Sequence, residues 1–202
     1  MSRMIPVDLV DWDRFHRLAR SLAFRIRESG FKPDMVVAIA RGGYVPARVL
    51  CDYLGVMDLA SFRVEHYRGA RKEPLARVRH PLAVSVDGLR ILVVDDVSDT
   101  GDTFEVALSH LSGLGDPAEV RTAALLHKTV SRYRPDYYVE EMVEWRWVTF
   151  PWAAMEDISE FVRELRFPPG TTLEEIAGKL RAAHGIEVPP AKLKDVLALL
   201  RS

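Results

Sequence analysis

Apolar side chains recur at helical spacing over residues 10–29, where Phe15, Leu18, Ala19 and Leu22 share one face of VDWDRFHRLARSLAFRIRES and Gly30 follows as a stop. The period then changes. DMVVAIA, residues 34–40, is a short unbroken apolar run of the kind found in strands buried on both faces. A glycine pair and a second helical stretch through Leu54-Gly55 follow it. DLASFRVEHY (58–67) reads as a second strand and RILVVDD (90–96) as a third, with a helix over 101–114. VRTAALLHK (120–128) reads as a fourth strand and DYYVEEMV (136–143) as a fifth. Residues 68–81, RGARKEPLARVRHP, are charged and broken by proline, which predicts a mobile loop or an excursion. Strands alternating with helices predict an α/β fold, a mostly parallel sheet flanked by helices on both faces. Ligands of such sheets bind beyond the carboxyl ends of the strands.

The chain changes character after Trp152. Thr172 and Glu175 form a capping-box pattern, and Leu173, Ile176, Ala177 and Leu180 follow at i, i+3, i+4, i+7. Leu193, Val196, Leu197 and Leu200 repeat that spacing after Pro189-Pro190. Two short amphipathic helices are expected there. They form a small C-terminal appendage, 158–202, to a main domain of residues 1–157.

Composition narrows the class only slightly. A hydrophobic content of 48% and a formal net charge of −1 describe a globular chain with no basic surface for nucleic acid and no membrane-attracted face. The single cysteine, Cys51, cannot close an intrachain disulfide and sits in an apolar helical pattern, which fits a reducing, cytoplasmic setting. No apolar run approaches the roughly 18 residues needed to span a bilayer. Charges interrupt the N-terminal stretch MSRMIPVDLVDWDR, so it does not read as a signal peptide.

The chemistry concentrates in ILVVDDVSDTGDTFEVAL, residues 91–108. A buried strand ends there on Asp95-Asp96, two carboxylates that repel one another unless a cation or ligand offsets them. Small and hydroxylated residues follow, and a helix starts at once. Backbone amides at a helix N-terminus, with the hydroxyls of Thr100 and Thr103, make a phosphate cradle, and Gly101 allows close backbone approach. The carboxylates suit ribose hydroxyls, a magnesium ion or its waters. Together these parts describe a site for a phosphorylated sugar with a metal nearby. Acidic pairs also end strands in phosphoacceptor receiver domains, but there near the N-terminus and ahead of a separate phosphoacceptor aspartate.

VVDDVSDTGDT resembles the phosphoribosyl-diphosphate (PRPP) motif of the type I phosphoribosyltransferases, with Ser98 where that family usually has an aliphatic residue. The resemblance implies that Asp95 and Asp96 hold the ribose 2′- and 3′-hydroxyls, directly or through water and Mg2+, and that Asp99, Thr100, Gly101, Asp102 and Thr103 wrap the 5′-phosphate. It places Asp99 near N7 of an incoming purine as its proton acceptor. Ala40-Arg41-Gly42-Gly43 resembles the family's diphosphate loop, which often carries a cis peptide just before the Arg-Gly-Gly. Arg68, Arg71 and Lys72 would then belong to the flexible loop that closes over the diphosphate.

Residues 125–157 resemble the hood of the 6-oxopurine enzymes, closest to the xanthine–guanine type. Lys128 matches the lysine that donates to the purine O6, and Trp147-Val148-Thr149-Phe150-Pro151-Trp152 matches the stretch whose first tryptophan stacks on the base. Purine-site residues are thus Lys128, Trp147 and Val148, although Lys128 also reads as a solvated strand end. His127, by strand alternation, points away from the site. Two acidic positions of the xanthine–guanine pattern are Thr149 and Ala153 here. The implied activity is a Mg-dependent transfer of the phosphoribosyl group from PRPP to a 6-oxopurine by a homodimer or larger homo-oligomer. Two other readings stand beside it, a transferase for another base and a PRPP- or purine-sensing transcriptional regulator. Residues 160–202 carry seven basic and six acidic side chains, a weak balance for gripping DNA.

Overall fold

The apolar runs pair as their pattern requires. In the computed structural model, which describes residues 5–67, 75–168 and 170–201, the chain forms two compact units, His16–Glu144 and Met1–Phe15 with Trp145–Ser202.

The first unit is built on a six-stranded sheet of β2 (Met35–Ala40), β3 (Asp58–Tyr67), β4 (Leu75–His80), β5 (Arg90–Ser98), β6 (Glu119–Lys128) and β7 (Glu140–Met142). The strand order is β4-β3-β2-β5-β6-β7, and every pair is parallel except β3 with β4. Val37, Ile39, Ile91, Val93 and Ala124 share one core with Phe104, Ala107 and Leu111 of helix α3 (Asp102–Ser112). The alternate residues Val36, Ala38, Leu92, Val94, Ala123 and Leu125 are buried too, so both sheet faces are covered. Helix α1 (Trp12–Glu28) buries the face expected of it, and α2 (Tyr44–Leu54) buries Ala47, Leu50 and Cys51.

Three elements differ from the sequence reading. Residues 75–80 are not loop but the antiparallel edge strand β4. Val78 packs on the core while Arg79 pairs with Glu65 at 3.0 Å, and charges on an edge strand mask the alternation. β5 runs two residues past the aspartate pair, through Ser98. The fifth strand shrinks to Glu140–Met142.

The second unit pairs β1 (Val7–Leu9) with β8 (Trp147–Thr149) in parallel and adds α4 (Ala154–Leu165), α5 (Leu173–His184) and α6 (Pro190–Arg201). The anticipated capping box opens α5: Thr172 accepts from the Glu175 N–H, and the Glu175 carboxylate accepts from the Thr172 N–H at 2.8 Å. Ile158, Phe161 and Val162 of α4 share a core with Ile176, Leu180, Leu193 and Val196. The line drawn at 157/158 from sequence therefore falls inside a helix whose residues pack with the tail. That helix was legible, since Ile158, Phe161, Val162 and Leu165 keep i, i+3, i+4, i+7 spacing.

Candidate active site

β5 delivers Asp95 and Asp96 to the carboxyl end of the sheet. Asp95 is buried, and its Oδ1 accepts the Asp96 N–H at 3.0 Å. Burial holds the Asp95 carboxyl well above the usual carboxylate range, the charge of Asp96 pushes the same way, and the Asp96 N–H pulls weakly against both. The repulsion anticipated from the adjacent acids is present in the fold. A cation or a set of hydroxyl donors at this point would relieve it.

The Ala40–Gly43 turn lies directly on that strand end. The Ala40–Arg41 peptide is cis. A Cβ on Gly42 would sit 2.5 Å from Asp96 Oδ2, and one on Gly43 would sit 2.2 Å from the Val94 carbonyl oxygen. Backbone leaves no room for a side chain at Gly43, and one at Gly42 would have to displace the Asp96 carboxylate.

The Asp99–Thr103 loop leads into the N-terminus of α3, whose first amides lack helical acceptors. Gly101 has φ +94°, and a Cβ there would meet the Tyr133 N at 2.5 Å. Segment 131–133 braces the loop from behind. The Arg132 N–H donates to the Thr100 carbonyl at 3.0 Å, and an Arg132 Nη donates to Asp102 Oδ1 at 2.8 Å. The Ser98 hydroxyl donates to the Tyr133 carbonyl at 2.9 Å and meets Ser131 Oγ at the same distance. Ser98, the departure from the family pattern, is thus a buried tether for this segment.

Lys128 closes β6 and is 1% exposed, so it is not a solvated strand end. Its Nζ lies 2.9 Å from Asp99 Oδ2. His127, one residue earlier, packs on Tyr138 with ring centroids 5.0 Å apart, and burial pushes its imidazole below the usual histidine range. It has a structural place, as alternation indicated.

The structure therefore brings together Asp95, Asp96, Asp99–Thr103, Ala40–Gly43 and Lys128 within the first unit. Arg68, Arg71 and Lys72 lie outside the described residues. Trp147 and Val148 belong to the second unit, on β8. The Trp147 indole N–H donates to Asp157 Oδ2 at 2.9 Å, and the Thr149 hydroxyl donates to the same oxygen at 2.8 Å. Thr149 and Asp157 are buried while Trp147 stays 39% exposed, so the indole is clamped at its nitrogen with part of its surface open. Burial raises the Asp157 carboxyl above its ordinary range, against the two donors that lower it. In sequence Asp157 stands with Glu156 just beyond the Thr149 and Ala153 positions, but its partners do not show there, because Trp147 lies ten residues away on another element.

The aspartate pair offers the hard oxygen donors magnesium prefers. Among the described residues, no group of three or more His, Cys, Asp or Glu side chains could hold a metal alone. An ion here would complete its shell with water and substrate oxygens, as magnesium commonly does. No helix among the described residues is long and apolar enough to cross a membrane.

Residues 8–157 match the model of the phosphoribosyl transferase domain. The chain is 32% identical over 149 residues to the xanthine-guanine phosphoribosyltransferase of Cereibacter sphaeroides, covering 71% of this chain and 84% of that relative. Its fold resembles the purine phosphoribosyltransferase of Pyrococcus horikoshii with a TM-score of 0.65 at 33% identity, over 73% of this chain and 94% of the other. A Neisseria gonorrhoeae protein solved with bound ppGpp gives a TM-score of 0.65 at 29% identity, over 80% of this chain and 96% of the other.

Proposed function

Since the chain belongs to the phosphoribosyl transferase domain family, we propose that it transfers the 5-phosphoribosyl group of PRPP to a 6-oxopurine, releasing diphosphate and a nucleoside monophosphate. The observation that carries this reading is the buried Lys128 beside Asp99 at the end of the loop that follows Asp95-Asp96. An ammonium only donates hydrogen bonds, so it selects an acceptor such as the purine O6. The Cereibacter and Pyrococcus relatives carry purine activities in their names, and the Neisseria relative binds a guanine nucleotide.

The reaction forms a bond from purine N9 to C1′ and breaks the bond from C1′ to the diphosphate oxygen, through an oxocarbenium-like transition state. This chain's residues contribute position and electrostatics. The N-terminus of α3 with Thr100 and Thr103 holds the 5′-phosphate, and Asp95 and Asp96 hold the ribose. The Ala40–Gly43 amides and Arg41 bind the diphosphate that leaves. Lys128 orients the base through O6, and Asp99 accepts the proton near N7. Asp95 and Asp96 would hold magnesium, which would supply charge neutralisation for the departing diphosphate.

The test is a parallel assay of purified protein with PRPP and magnesium against guanine, xanthine, hypoxanthine, adenine, uracil and orotate. Turnover confined to the 6-oxopurines is expected. Turnover of orotate or uracil alone would replace this reading with another base, and tight PRPP binding without turnover of any base would favour a sensor. Asp96→Asn should weaken PRPP use and Asp99→Asn should slow turnover, each on the order of 10²-fold.

A further inference from the structure

Four carboxylates, Asp95, Asp96, Asp99 and Asp102, fall within residues 95–102, against a loop built to bind a phosphate. Asp102 is the most awkward of them. It stands in the first turn of α3, where an acidic side chain suits the positive end of the helix. A phosphate bound at the same helix end seeks the same partial charge and is repelled by that carboxylate. We propose that Arg132 is a positioning residue for the 5′-phosphate that acts by neutralising and holding Asp102. The inference rests on the transferase reading above.

Both oxygens of Asp102 are engaged. Oδ1 accepts from Arg132 at 2.8 Å and Oδ2 accepts from the Thr100 hydroxyl at 3.0 Å. Arg132 also donates its backbone N–H to the Thr100 carbonyl at 3.0 Å, so backbone and side chain grip the same loop. Its neighbour Tyr133 sits where a Cβ on Gly101 would be. The Arg132 side chain is 74% exposed and that of Asp102 17%. An ion pair this open contributes little to stability by itself. Beside an anion site its weight is different, because it cancels the carboxylate that opens the cradle's own helical turn, ahead of the exposed Glu105. Lys128 neutralises Asp99 four residues earlier, so a single segment, 128–132, carries both counter-charges of the DTGD stretch.

Four full-length variants test this: Arg132→Gln, Arg132→Lys, Asp102→Asn and the double Arg132→Gln/Asp102→Asn, each titrated with PRPP and magnesium by calorimetry at low and high salt. Arg132→Gln should weaken PRPP binding about tenfold, within the coupling range of contacting charges, and leave the melting temperature in place. The loss should shrink at high salt, since the pair is exposed. In the Asp102→Asn background the same change should cost less than about twofold, because no charge is left to cancel. Arg132→Lys should restore most of the affinity. Equal losses in both backgrounds, or no loss in either, would overturn the inference while PRPP binding by the wild type upheld the family site. A wild type that fails to bind PRPP sinks the transferase reading and this inference with it.

Discussion

Lys128 Nζ and Asp99 Oδ2 stand 2.9 Å apart, joining the end of β6 to the loop that follows β5. These are the two residues to which the family resemblance gives separate duties toward one purine, at O6 and near N7. In the structure each is the other's partner. The pair keeps a buried ammonium compensated, since an unpaired charge at that depth would be costly. On the proposed function, a 6-oxopurine would offer Lys128 a replacement acceptor at O6 and leave Asp99 to face N7.

That geometry predicts base selectivity. The amino group of adenine is a donor, and a buried donor left facing another donor costs about 1–3 kcal/mol, more when charged. Wild type should prefer guanine, hypoxanthine or xanthine over adenine by at least about tenfold. Lys128→Ala should narrow that gap, whereas Trp147→Ala should weaken all bases alike by roughly 1–3 kcal/mol. Competitive binding of guanine and adenine to the three proteins decides it. Equal losses for both bases in Lys128→Ala would remove the lysine from base recognition.

Asp95 should trade stability for binding. Its carboxyl is raised in the fold, so the native state binds a proton that the unfolded chain has already released. Its contribution to stability is therefore present below the ordinary aspartate range, about 3.9, and is lost as pH rises through the raised value. Asp95→Asn should melt higher than wild type at pH 7 and use PRPP far less well. A melting temperature that falls in Asp95→Asn would contradict the burial cause of the shift.

Asp157 gives a second, separable case. Asparagine keeps an oxygen able to accept from both Trp147 and Thr149 without burying a charge, so Asp157→Asn should be neutral or stabilising at pH 7. Leucine leaves two donors without their acceptor and should cost about 1–3 kcal/mol. Base affinity should fall in Asp157→Leu, because the indole loses its clamp, and return in Asp157→Asn. Denaturant melts with base titrations check both halves. Loss of base affinity in both variants would mean that the carboxylate charge, rather than the clamp, matters.

The C-terminal helices bury Ile176, Leu180, Leu193 and Val196 in the core they share with α4. Each such side chain contributes about 1.5–3 kcal/mol when fully buried. Ending the chain after Phe167 should therefore expose Ile158, Phe161 and Val162 and lower the melting temperature of that unit sharply. An unchanged melting temperature together with loss of binding to a specific DNA duplex would move the protein to the regulator reading.

Much of this was open to a reader of the residues alone. Short apolar runs between turn residues read as strands, and β2, β3 and β6 lie within a residue of their expected limits. Thr172 and Glu175 announce their capping box because such a motif is local. The aspartates at the end of β5 and the glycines after β2 were visible for the same reason: strand ends and helix starts are written in consecutive residues.

What only the tertiary structure decided are pairings between residues distant in the chain. β1 and β8 have three residues each, too few to show a period, and exist because they pair with each other across 140 positions of sequence. The requirement for glycine at position 43 comes from the Val94 carbonyl, and at 101 from Tyr133 as well as from φ. Lys128 with Asp99, Arg132 with Asp102 and Asp157 with Trp147 each cross between elements. Charge and hydrogen-bond partners act through distance in space, and periodicity reports only which face a residue occupies, not what meets it there.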